Sequence, residues 1–97
     1  MRVSIPARFT MMNRRWTVRL GTDLKKGVDG ECRYEHAEIV LRPGMDKKYT
    51  EHTFLHELSH CIAGALGWET FNADEGKIDA LGGALHQFLQ TKTGKLE

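Results

Sequence analysis

Cysteine and proline are scarce in this 97-residue chain, with two of each. Cys32 and Cys61 are too few for a disulfide framework and lack the C-x-x-C spacing of a thiolate metal site. They read as two small buried thiols of a reducing compartment. No apolar run approaches the ~18 residues of a membrane span. No charged-then-apolar leader opens the chain, since Met1-Arg2-Val3-Ser4-Ile5-Pro6 passes straight into mixed sequence. The expectation is a cytoplasmic protein with no membrane partner. Internal repeats, low-complexity tracts and linkers are missing as well. At this length one domain, residues 1–97, is expected, with a thin core.

An excess of one charge is also absent: the net charge is +1. It is unevenly spread. Residues 1–33 hold eight Lys and Arg against three Asp and Glu, a local +5 that leaves −4 for the rest. A basic front half can touch nucleic acid. Strand-borne arginines such as Arg14, Arg15 and Arg19 more commonly form a solvated face, so nucleic acid is the weaker reading.

What is present is patterned. Residues 3–9 and 16–20 carry β-type residues, with Trp16, Val18 and Leu20 at period two, and Met11 to Arg14 can turn between them. Gly21 to Gly30 reads as a polar loop. Residues 32–34 and 39–41 predict a second hairpin, closed by Arg42-Pro43-Gly44. Asp46 then looks like the cap of a helix running to about Leu66, with Phe54, Leu58, Cys61, Ile62 and Ala65 on one apolar stripe and Gly67 as its stop. A connector follows to Ala73. Asn72 or Asp74 can cap a last helix to about Thr91, whose stripe is Ile78, Leu81, Leu85, Phe88 and Leu89. Residues 93–97 are expected to be a frayed tail. The fold class is α+β: a small N-terminal antiparallel sheet of two hairpins, then two packed helices.

Inside the first helix stands His56-Glu57-Leu58-Ser59-His60, an H-E-x-x-H. Residues four apart on a helix share a face, so two imidazoles can reach one ion at ~2.0–2.1 Å. Glu57 projects ~100° around the helix and flanks the ion as a base. With Phe54 as zero, the apolar stripe spans about −20° to 80°, and the histidines fall near 200° and 240°. They are therefore not core histidines of that stripe. Ala63, Gly64 and Gly67 lie on the histidine side and leave room for another segment. A third ligand is sought among Glu69, Asp74, Glu75 and Asp79. Glu69 is too near the helix end to fold back. Glu75 and Asp79 share one face of the next helix. Glu75 can complete a His-His-Glu set, and Asp79 can accept an N–H from a ligand imidazole. The opposite assignment, with Asp79 as ligand, is the alternative, and exposed acids at a helix start are the plain one.

Together, Thr53 to His60 and the Asp74-Glu75-x-x-x-Asp79 segment resemble the core of gluzincin-type zinc metallopeptidases. More closely, the chain is similar to very small phage and prophage metallopeptidase-like proteins related to ImmA/IrrE and SprT-like domains. Gly30-Glu31-Cys32-Arg33-Tyr34 and Leu85-His86-Gln87-Phe88-Leu89 extend the likeness from Gly30 to Leu89. Gly82-Gly83, in mid-helix, departs from good helix propensity. The resemblance implies one Zn²⁺ held by His56, His60 and Glu75, with Glu57 as general base and Asp79 behind a ligand. It implies hydrolysis of a peptide bond in a protein or peptide substrate by metal-activated water, in a bacterial host's cytoplasm. By analogy, strand 38–41 presents an edge to an extended peptide. The alternative is a zincin-fold regulatory or interaction module with little proteolysis. Tyr34, Tyr49, His52 and His86 are all candidates to steady an oxyanion.

Overall fold

The computed structural model describes residues 4–96. Four strands precede three α-helices, with one turn of 3-10 helix, Tyr34–His36, between the last two strands: β1 (Arg8–Met11), β2 (Arg14–Leu20), β3 (Gly30–Arg33), β4 (Glu38–Leu41), α1 (Lys47–Ala65), α2 (Glu69–Ala73) and α3 (Glu75–Thr91). The arrangement is α+β, as the sequence pattern predicts. None of the described helices is long and apolar enough to cross a membrane.

The sheet order is β1-β2-β4-β3. Both expected hairpins form and are antiparallel. The first is closed by a two-residue turn, Met12-Asn13, with φ of 51° and 63°, the left-handed geometry that matches strand twist. Its first strand starts at Arg8 rather than near residue 3, and Val3 lies outside the described residues. The sheet as a whole is not antiparallel, however. β2 and β4 pair in parallel, Val18 opposite Ile39. The reason is non-local: residues 21–29 carry the chain past one strand position, so β4 returns between β2 and β3. This also moves the free edge. β4 is central, and the edge beside the helices is β3, not strand 38–41.

One sheet face supplies Trp16, Ile39 and Leu41 to a core completed by Phe54, Leu55 and Cys61 of α1. The opposite face places Arg19 of β2, Glu38 of β4 and Arg33 of β3 around buried Val40. Arg19 bonds Glu38 at 2.8 Å and Asp23 at 2.7 Å, and Arg33 reaches Asp23 at 2.8 Å. These guanidinium bonds hold the Asp23 carboxyl well below its ordinary range. Two of the front-half arginines are thus engaged in surface ion pairs with the chain's own acids.

Helix α1 begins where Asp46 accepts the Tyr49 N–H at 3.3 Å. Sheet and α3 cover it on two sides, so its buried set differs from the single predicted stripe: Phe54 and Cys61 are buried, Leu58, Ile62 and Ala65 only partly so, and Leu55, Glu57, Ser59 and Ala63 are buried as well. The connector 68–73 is partly helical, forming α2. Helix α3 is capped by Asp74, which accepts the Lys77 N–H at 3.1 Å. Ile78 is its fully buried anchor, while Phe88 is 60% exposed. Phe88 lies about 80° around the helix from Ile78, at the margin of the stripe, and turns outward.

Gly82 explains the poor helix propensity in α3. A Cβ there would sit 2.9 Å from the His56 backbone nitrogen and 3.0 Å from its Cα. The two helices cross at this point with no room for a side chain. The contact sets the height of α3 against the turn of α1 that holds the histidines.

Candidate metal centre

Four-residue spacing on α1 puts His56 and His60 on adjacent turns, ring centroids 5.1 Å apart. The Gly82 crossing brings the start of α3 over this face. Glu75, its first residue, reaches both imidazoles: one carboxylate oxygen lies 3.1 Å from His56 Nε2 and the other 2.9 Å from His60 Nε2. Candidate ligand atoms of His56, His60 and Glu75 all lie within 4.8 Å of one another. Donors bonded tetrahedrally to one ion at ~2.05 Å stand ~3.3 Å apart, so the spacing suits a single small cation. The two rings are largely sheltered and Glu75 is open to solvent. The group can hold a metal ion.

The far ring nitrogens are also held. His56 Nδ1 lies 3.0 Å from Asp79 Oδ1. His60 Nδ1 lies 2.6 Å from Asn72 Oδ1. A carboxylate and an amide oxygen both accept, so each ring faces an acceptor at Nδ1 while its Nε2 faces Glu75, and a cation taking the Nε2 lone pair would leave the ring proton on Nδ1. Asp79 therefore sits behind His56 and not among the converging atoms. Asn72 serves His60 in the same way. Spacing suggested Asn72 only as a helix cap. The missed signal was arithmetic: two imidazoles need two acceptors, and Asp79 can reach only one of them.

Glu57 is buried between α1 and β3. Gly30 is what lets the strand approach: a Cβ there would meet Thr53 Cγ2 at 2.8 Å and Glu57 Cγ at 3.2 Å. Burial pushes the Glu57 carboxyl up, and the imidazoles of His56 and His60 pull it partly back. Burial alone would lower His56, but the Asp79 hydrogen bond and the charges of Glu57 and Glu75 outweigh it and raise its pKa.

A cleft of about 590 Å³ opens over this group, lined among others by Cys32, Tyr34, Glu57, His60, Asn72 and Glu75. Glu69 stands on its rim, outside the converging set. Tyr34 packs against Gly64, its ring 3.4 Å from where a Cβ would lie. A second hollow of about 360 Å³ shares His56 and Glu57 and holds Tyr49 and His52. The Tyr49 hydroxyl donates to Asp29 at 2.5 Å. His86 lines neither hollow and bonds Glu51 at 3.0 Å. Of the four oxyanion candidates, Tyr34 is the one in the cleft with His60 and Glu75.

One edge borders the cleft. The Arg42 N–H bonds the Asp29 carbonyl at 2.8 Å, which makes Asp29 and Arg42 a hydrogen-bonded pair. Antiparallel alternation then turns the backbone groups of Gly30 and Cys32 away from β4, towards the free edge.

Compared with family models, curated proteins and solved structures, the chain matches none of them.

Proposed function

We propose that this chain is a small zinc-dependent metallopeptidase. The observation that carries the reading is the double orientation of the two imidazoles. Each has an acceptor behind its Nδ1, Asp79 or Asn72, and both turn Nε2 to Glu75. Surface histidines paired casually with acids have no need of such support. Two imidazoles and one carboxylate are a donor set that catalytic zinc uses, and three protein donors leave a fourth position free, as catalytic sites require.

Bound zinc supplies Lewis acidity, bringing a water's pKa to near ~7 and polarising a carbonyl. The protein's own groups do the rest. Glu57, beside the two histidines, takes the proton of the attacking water and passes it to the departing amine nitrogen. Tyr34, which lines the same cleft, is our candidate donor to the developing oxyanion. An extended peptide adds to the β3 edge through the outward backbone groups of Gly30 and the Cys32 carbonyl, the Cys32 N–H being held by Glu57, and this fixes its scissile bond over the cleft.

The test compares the wild type with Glu57→Gln on a peptide library read by mass spectrometry, with zinc content measured on both. The expected result is equal zinc and a cleavage rate ~10²–10⁴-fold lower in the variant. Equal cleavage by both proteins would contradict the assignment of Glu57. Zinc in both with cleavage in neither would replace the peptidase with a metal-binding interaction module.

A further inference from the structure

The two cysteines, 29 residues apart in sequence, meet in space: Cys32 Sγ lies 2.6 Å from Cys61 Sγ. They belong to different elements. Cys32 is on the edge strand β3, and Cys61 follows His60 on α1. Their exposure differs. Cys61 is fully buried, whereas Cys32 is partly exposed and lines the cleft. Both are free thiols. A disulfide of about 2.04 Å needs the sulfurs to close by only about 0.6 Å. Two small buried thiols would fill core space equally well without touching, and the strand beside them carries the backbone groups that face the cleft.

We propose that Cys32 and Cys61 form a reversible disulfide when a hydroperoxide reaches the cleft, stapling the edge strand to the helix that carries the histidines. Cys32, the open member, attacks a peroxide oxygen. The O–O bond breaks, the departing hydroxide leaves as water, and Cys32 becomes a sulfenic acid. The Cys61 sulfur then attacks the Cys32 sulfur. An S–S bond forms, the S–O bond breaks, and a second water leaves with the thiol proton. Two thiols are oxidised to one disulfide, and one hydrogen peroxide is reduced to two waters. The buried position of Cys61 makes it the resolving partner, because Cys32 is the thiol that lines the cleft. A low-molecular-weight dithiol reverses the bond by exchange.

The consequence is local. The cross-link closes a loop of about 30 residues containing β4 and most of α1, and it ties the cleft wall to the turn after His60. Closing a loop of this length raises stability by restricting the unfolded chain.

The experiment treats the purified full-length chain with hydrogen peroxide, then traps free thiols by alkylation under denaturing conditions. The expected product is monomeric, about 2 Da lighter, with no alkylatable thiol, and it returns to the starting mass with dithiothreitol. A non-reducing digest joins the peptides containing Cys32 and Cys61. Tm rises on the order of 10 °C, and Cys32→Ala shows no rise. Peptide mapping of the wild type decides the matter even if Cys61→Ala fails to fold. Cys32 carried to a sulfinic acid with Cys61 still alkylatable would overturn the proposal, as would cross-links between chains. The result is independent of metal content, so a failure here leaves the peptidase reading intact, and the reverse holds.

Discussion

Two pairs of histidines lie along the seam between α1 and α3, and they differ in what holds them. His56 and His60 share one carboxylate, Glu75, whose side chain is 68% exposed. One turn earlier on α1, His52 stacks on His86 of α3, ring centroids 6.1 Å apart. There the carboxylate bonded to His86, at 3.0 Å, is Glu51, only 4% exposed, while His52 Nε2 comes within 3.5 Å of Asp79, the acid behind His56. His52 stands equally four residues before His56, so helical spacing alone does not distinguish the pairs. The position of the acid does. A buried carboxylate spent on one imidazole locks two helices together. An open carboxylate shared by two imidazoles, each tethered from behind, brings three ligand atoms together where a cation can bind. The first arrangement is packing and the second is a receptor.

The sharpest way to break this contrast is to remove one histidine from each pair. His60→Ala should abolish stoichiometric zinc binding, read by mass-spectrometric metal analysis after dialysis against a metal buffer, because two donors seldom retain the ion. His86→Ala should keep the zinc and lose ~3 kcal/mol of stability in urea denaturation, since the buried Glu51 loses its partner. Zinc lost with His86, or retained without His60, would erase the distinction between the pairs. Next in size are the tethers. Asn72→Ala and Asp79→Ala should each weaken zinc affinity ~10–100-fold in competition with a chromophoric chelator. Affinity unchanged in both would mean that the rings need no orienting. The smallest effect concerns the crossing that aligns the seam. Gly82→Ala should cost ~1–3 kcal/mol, as its Cβ meets the His56 backbone. Gly83→Ala, whose Cβ has ordinary contact 3.6 Å from His52 Nε2, should gain ~0.5–1 kcal/mol from helix propensity. Equal effects at the two glycines would show that the close approach is not what fixes α3.

Local features of the fold were legible in the sequence. The Asp46 and Asp74 caps, both hairpins and the extents of α1 and α3 follow from short-range chemistry: side chains bonding nearby N–H groups, and apolar periodicity. The parallel pairing of β2 with β4 did not follow, because strand order depends on how a nine-residue loop routes the chain, and residues 21–29 carry no pattern that specifies it. The edge strand was misplaced for the same reason. In the centre, His56, His60, Glu75 and Asp79 could be brought together on paper because each pair lies one turn apart on its own helix. Asn72 could not, since its approach to His60 depends on the short helix α2 between the two long ones. Gly82 reads as a defect in one dimension and as a crossing point in three.

The central claim is that three side chains converge on a single cation. A crystal of the zinc-loaded protein, measured on both sides of the zinc absorption edge, tests it most directly. One anomalous peak is predicted, bounded by His56 Nε2, His60 Nε2 and a Glu75 oxygen at ~2.0–2.2 Å. A peak between His52 and His86, or no peak in fully zinc-loaded crystals, would contradict it.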